Sequence, residues 1–300
     1  MFPIAFHPSY IHPVPENHRF PMEKYRLLPE YLLKEGIVAH DWFFEPTLAT
    51  VEELILVHDA QYVEDFINLR LDASATRKTG FVHNKELVER ELYLVKGAIE
   101  GARKAIKSKV AFNIAGGTHH AYQAHGEGFC MLNDQAVAAG VLLKEQLAKN
   151  ILFIDLDVHQ GNGTADIFQN EERVFTFSMH GKNNYPFKKE QSSLDIALED
   201  NISDVEYLQL LNTHLQQIMN TFQPDFIFYQ SGVDILESDK LGKMGCSLDG
   251  CKQRDLVVFS IAKQHDIPVQ CSMGGGYSPD VSTIVQAHAN TFLSAVEVFL

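Results

Sequence analysis

No stretch of the 300 residues approaches the ~18 consecutive apolar side chains that a membrane-spanning helix requires, so no helical membrane span is expected. The opening residues, MFPIAFHPSY, lack a basic segment followed by an apolar one, which argues against a secretory signal. Cysteine is scarce, and Cys130, Cys246, Cys251 and Cys271 are scattered without a C-x-x-C pair. That argues against a disulfide framework and a structural thiolate zinc site, and it fits a reducing, cytoplasmic location. Positive charge is also short, with 25 Lys plus Arg against 39 Asp plus Glu and a formal net charge of −14. A chain that grips a nucleic-acid backbone needs the opposite balance, so direct nucleic-acid binding is not expected, whereas cationic partners are compatible with it. Internal repeats, low-complexity tracts and Pro/Gly/Ser linkers are missing as well, which leaves one domain over residues 1–300.

What is present is ordinary globular composition, 45% hydrophobic and 10% aromatic, with 14 histidines as its one unusual feature. Short apolar runs bounded by Gly, Asn or Pro predict strands at Val110–Ala115, Ile151–Asp157, Val174–Met179, Asp225–Ser231 and Ile267–Ser272, with a further one near Pro3–His7. Helical patterns lie between them at Lys85–Lys107, Asn133–Lys149, Val205–Phe222, Gly250–His265 and Pro279–Phe299. In the first, Leu87, Leu94, Ala98 and Ala102 keep a period near 3.6 with charges opposite. This alternation predicts an α/β fold with a mainly parallel sheet flanked by helices. Lys182–Asn201 reads as the longest irregular stretch.

The residues just beyond the strands carry the chemistry. Gly116-Gly117-Thr118-His119-His120 follows the first strand of this set, and Val158-His159-Gln160-Gly161-Asn162-Gly163 follows the second. Gly232-Val233-Asp234 and Met273-Gly274-Gly275-Gly276-Tyr277 follow the last two. Parallel α/β sheets bind ligands outside the carboxyl ends of their strands, and four strands here deliver His, Asp and Tyr to that edge. Alternation along an extended chain puts Asp155, Asp157 and His159 on one side. Paired carboxylates there call for a cation, and one imidazole among carboxylate oxygens suits zinc or ferrous iron. Each motif alone also has a plainer reading: strand-end Asp residues capping a turn, histidines satisfied in a loop, Asp234 as a helix cap, Tyr277 as packing. Neither phosphate-binding glycine motif, G-x-x-x-x-G-K-[ST] or G-x-G-x-x-G, is present.

Together GGTHHA (116–121), GFCMLND (128–134), DLDVHQGNG (155–163), SGVD (231–234) and GGGYS (274–278) resemble the zinc-dependent histone deacetylase family of the arginase–deacetylase fold. Asn162 within H-Q-G-N-G and the N-terminal segment resemble the class IV members and their bacterial relatives. The resemblance implies Zn2+, with Fe2+ as the other option, on Asp157, His159 and Asp234, and catalysis by His119, His120 and Tyr277. It implies Asp155 behind His119 and Asn162 behind His120, and Gly128, Phe129 and Gly275 along the acyl-lysine channel, where Tyr185 or Phe187 adds a further wall. It also implies a structural K+ on carbonyls of Asp155, Asp157, His159, Ser178 and Met179.

The expected activity is therefore hydrolysis of an acetyl or longer acyl group from an acylated lysine in protein or an acylated small amine. Many members of the family carry Asp where this chain has Asn162, and an amide orients an imidazole without supplying charge, which leaves the division of acid and base between His119 and His120 open. Three alternatives share these motifs: an acetylpolyamine amidohydrolase, an arginase-like two-metal ureohydrolase and a low-turnover acyl-lysine-binding scaffold. Loops 70–84 and 182–201 are the expected rim of the channel.

Overall fold

Apolar runs of four or five residues are too short for stable helices and bury both faces when paired side by side. They form the middle of one eight-stranded sheet in a computed structural model that describes residues 1–15 and 18–300. The strands are β1 (Ile4–Ala5), β2 (Phe43–Phe44), β3 (Val110–Asn113), β4 (Ile151–Asp155), β5 (Val174–Gly181), β6 (Leu194–Leu198), β7 (Phe226–Gln230) and β8 (Val269–Ser272). Their order is β2-β1-β3-β8-β7-β4-β5-β6, and every pairing is parallel. The four motif-bearing strands are consecutive neighbours, β3-β8-β7-β4, so parallel direction alone brings their carboxyl ends to one edge.

Ten α-helices flank the sheet among the described residues. In chain order they are α1 (Lys24–Lys34), α2 (Val51–Leu54), α3 (Ala60–Ile67), α4 (Ala73–Thr79) and α5 (Lys85–Ser108), then α6 (Asp134–Lys144), α7 (Asn162–Phe168), α8 (Asp204–Thr221), α9 (Leu248–Gln264) and α10 (Val281–Phe299). Asn84, Ser203, Ser247 and Asp280 cap α5, α8, α9 and α10 by accepting backbone N–H bonds, which satisfies donors that have no partner within the helix. Helix α5 packs against α6, β3 and β8, and α9 packs between α8 and α10. One contiguous core runs through the molecule, which is a single α/β domain.

The predicted strands recur with shifted ends. Strand β4 stops at Asp155 rather than Asp157, so the residues expected to alternate along it lie in the turn beyond. The stretch Lys182–Asn201 is not wholly irregular, because Leu194–Leu198 pairs with Phe177–Gly181 as an edge strand. The rim segment 70–84 likewise contains α4, which Asp72 caps and Gly80 ends at φ +78°.

Candidate active site

Past Asp155 the chain turns tightly and its own carboxylates hold the turn. Asp155 Oδ1 accepts from the Asp157 amide at 3.2 Å, and Asp157 Oδ1 from the His159 amide at 3.0 Å. Leu156 and Val158 point into the core. Arg254, buried and paired with Asp255, donates to the carbonyls of Leu156, Ser231 and Gly232 and so fixes both the β4 and the β7 turns.

These turns converge Asp157, His159 and Asp234, whose ligand atoms lie within 4.8 Å of one another. His159 Nδ1 is 3.0 Å from Asp157 Oδ1 and 3.2 Å from Asp234 Oδ2. The remaining carboxylate oxygens are occupied by backbone amides: Asp234 Oδ1 accepts from Val158 at 2.9 Å and Asp157 Oδ2 from Gly275 at 2.8 Å. Asp234 Oδ2 is buried with no hydrogen-bond partner, an expensive state for a carboxylate unless a cation meets it. Burial and the neighbouring Asp157 push the Asp234 carboxyl up, while the two carboxylates outweigh burial and pull His159 up as well. The triad therefore holds more negative charge than its surroundings neutralise, and its N/O donor set fits zinc or ferrous iron. Only glycine fits at 275, where a Cβ would stand 1.9 Å from Asp234 Oδ2.

Two histidines face this centre with rings 4.1 Å apart. Their loop is set by Asp134, whose Oδ1 accepts from the amides of Gly117 and Thr118 and from the Thr118 hydroxyl, all at 2.9 Å. His119 Nδ1 donates to Asp155 Oδ2 at 2.7 Å. Burial opposes its charge, but Asp155 and Asp157 outweigh burial and lift it to about 8. His120 moves the opposite way: burial, then the charges of His119 and His159, hold it well below the usual imidazole value.

The tautomer of His120 follows from its neighbours. The Glu190 carboxylate can only accept, so the Tyr122 hydroxyl donates to it at 3.2 Å. That hydroxyl then accepts from Asn162 Nδ2 at 2.9 Å, which turns Asn162 Oδ1 toward His120 Nδ1 at 2.6 Å. Nδ1 carries the proton, and Nε2 keeps the lone pair.

Tyr277 lines both a small inner cavity of about 30 Å3 beside the triad and an outer mouth of about 430 Å3. Burial and then Asp234 and Asp157 push its hydroxyl well above the usual phenol value, so it stays a donor. Gly128 and Phe129 line both spaces, Tyr185 lines the mouth, and Gly275 lies in the inner cavity. The Tyr185 ring stands perpendicular to His120 at 5.0 Å. Phe187, 93% exposed, also lines the mouth.

The histone deacetylase domain profile matches residues 18–292. The chain belongs to that family. Within it, an uncharacterized protein of Picosynechococcus sp. is 41% identical over 298 residues, 99% of each chain. Histone deacetylase 2 of Arabidopsis thaliana is 30% identical, spanning 89% of this chain and 72% of its own. Acetoin utilization protein AcuC of Staphylococcus aureus is 27% identical over 94% of this chain and 78% of its own. An HDAC homologue from Aquifex aeolicus shares the fold, with a TM-score of 0.82 at 22% identity over 98% of this chain and 84% of that one. The Asp–His–Asp triad and this family membership are consistent with a metal-dependent amidohydrolase.

Several supporting residues escaped sequence reading. Lys24 is fully buried, donates to the Gly274 carbonyl at 3.0 Å and sits 5.6 Å from the Tyr277 ring centre. Burial lowers its ammonium to about 8 against the pull of Asp234, Asp157 and Asp239. Asp239 accepts from the Tyr277 amide at 2.6 Å. Tyr122 and Glu190 complete the chain behind His120. None belongs to a motif that a strand end would flag, although Asp134 closes the GFCMLND segment.

Proposed function

We propose that the protein is a zinc-dependent deacylase that hydrolyses the amide of an acyl-lysine or a similar acylated amine. The observation that carries this reading is His120, whose Nδ1 faces Asn162 Oδ1, beside a triad whose Asp234 Oδ2 is buried without a hydrogen-bond partner. A divalent ion on Asp157, His159 and Asp234 supplies a Lewis acid for the amide carbonyl and an acidified water as nucleophile.

The chain's own groups do the rest. His120 Nε2 takes the proton of the attacking water and holds it for the departing amine. His119, kept protonated more easily by Asp155, places positive charge where negative charge develops. Tyr277 donates to the carbonyl oxygen as it becomes an oxyanion. Gly128, Phe129 and Tyr185 line the path of the lysine stem. A K+ on carbonyls of Asp155, Asp157, His159, Ser178 and Met179 belongs to the same proposal, supported by the pairing of Asp155 with Ser178 in adjacent strands. The class IV subclass rests on Asn162 and the N-terminal segment, and a cytoplasmic site of action on the scarcity of paired cysteines.

An arginase-like two-metal site is disfavoured, because the Asp157–His159–Asp234 group is the one metal-ligating cluster among the described residues and an amide stands at 162. A screen of acyl-lysine peptides and acetylated polyamines with metal-replete protein, varying acyl length, tests the reading. Hydrolysis of an acyl-lysine bond supports it, and inertness toward every acylated amine rejects it.

Asn162→Asp separates the histidine roles. A carboxylate within ~4–6 Å favours the imidazolium and raises the His120 value by about a unit or more. A base must be neutral to act, so the acid limb of kcat/KM moves to higher pH. A basic limb that moves instead assigns His120 as the acid, and superimposable profiles with intact metal remove residue 162 from the mechanism.

A further inference from the structure

The net charge of −14 suggests cationic partners, yet the mouth of the site has the opposite sign. Arg19, Arg77, Lys78 and Lys243 line it, and no Asp or Glu among the described residues does. All four are exposed, and none forms an ion pair with another described residue. Two carboxylates joined to channel residues are already engaged. Glu127 accepts from Tyr185 and His125, and Asp239 from the amides of Leu241, Gly242 and Tyr277.

The cations come from three separate segments, each hydrogen-bonded to the channel or to its rim. Arg77 and Lys78 end α4, whose last carbonyls accept from the amides of Gly128 and Phe129 at 3.1 and 3.0 Å. His18 bonds the Gly80 carbonyl at 2.9 Å and brings Arg19 to the same side. Asn184 donates to the Leu241 carbonyl at 2.7 Å, joining the Lys243 segment to the Tyr185 loop. A helix C-terminus by itself favours Arg77 and Lys78, but it accounts for neither Arg19 nor Lys243. His120, His159 and Tyr277 line the same space, so whatever enters passes this ring of charge.

We infer that the rim selects an acyl-lysine carried on an acidic peptide segment, with Asp or Glu flanking the modified residue. This rests on the deacylase reading above and narrows it. Anionic flanks meet four cations that have no ion-pair partner among the described residues, whereas a basic tail or a polyamine meets like charge. A peptide rather than a small anion is the occupant because the cations come from three separate segments lining a space of about 430 Å3 that also holds His120, His159 and Tyr277.

The test compares kcat/KM of the zinc-loaded full chain on acetyl-lysine peptides of one length with Asp/Glu, Ser/Gln or Lys/Arg flanks. An acetylated polyamine and free Nε-acetyl-lysine complete the set, at about 0.02 M and about 0.5 M salt. The acidic peptide should exceed the basic one by ~10-fold or more at low salt, and the gap should close at high salt. In the Arg77→Glu/Lys78→Glu/Lys243→Glu variant the acidic-to-basic ratio should invert, and a ratio within one preparation is unaffected by partial loss of fold or metal. A wild-type preference for the basic peptide or the polyamine, or a ratio that charge reversal leaves unchanged, overturns the inference. Free Nε-acetyl-lysine turned over as well as the acidic peptide overturns the peptide occupant. Turnover of the neutral peptide without any charge preference sinks this inference alone, whereas no turnover of any substrate sinks the deacylase reading with it.

Discussion

Asp234→Ala should lose both bound metal and amide hydrolysis, with turnover falling below detection. The substitution removes one of the three residues of the triad, and with it a buried carboxylate oxygen that accepts no hydrogen bond. Burial and Asp157 disfavour the Asp234 charge, so deleting the carboxylate relieves repulsion, but it also strands the Val158 amide that Oδ1 accepts from. The readout is therefore the difference zinc makes: the variant should lose the stabilisation on adding zinc, which for a ligand at 100 times its Kd is about 2.7 kcal/mol. Paired melting curves with and without zinc, together with metal content, make the measurement. An Asp234→Ala protein that is fully loaded and active removes Asp234 from the ligand set.

Tyr277→Phe should leave fold and metal intact and reduce kcat by ~100-fold or more, equivalent to roughly 2.7–4 kcal/mol for one oxyanion donor. The ring's packing on Phe20 and Phe129, with centroids 6.1 Å from each, survives because only the hydroxyl is lost. A donor that acts mainly as charge develops lowers kcat with little change in KM. Equal loss of thermal stability and metal would instead make Tyr277 a structural residue, and an unchanged kcat would take it out of the reaction.

The sheet and its active edge were legible in the sequence because buried parallel strands are apolar along their whole length. Val110–Asn113, Ile151–Asp155, Phe226–Gln230 and Val269–Ser272 each carry that signature and end in a motif. The two missed strands lack it. Phe43–Phe44 is two residues long, and Leu194–Leu198 is a partly exposed edge interrupted by Asp195. Helix α4, ASATRKT, has no apolar stripe, so nothing in its sequence separates it from a loop.

Within the site, the convergence of Asp157, His159 and Asp234 was expected and is realised, although His159 and Asp157 stand in a turn rather than on a strand. Asp155 Oδ2 contacts His119 Nδ1, and Asn162 Oδ1 contacts His120 Nδ1. Lys24 was hidden because a lysine is ordinarily solvated, and only its cage of Phe20, Tyr25 and Tyr277 rings with the Gly274 carbonyl makes burial tolerable. Glu190 was hidden by distance, 68 residues from the Tyr122 it orients.

The central claim is that one metal on the Asp157–His159–Asp234 triad drives hydrolysis of an acylated amine. Titrating metal-stripped protein with zinc while following acetate release from a neutral acetyl-lysine peptide tests it most directly. Activity should rise linearly and saturate at one zinc per chain, and a chelator should reverse it. Saturation at two ions per chain, or full turnover in the stripped protein, would contradict it.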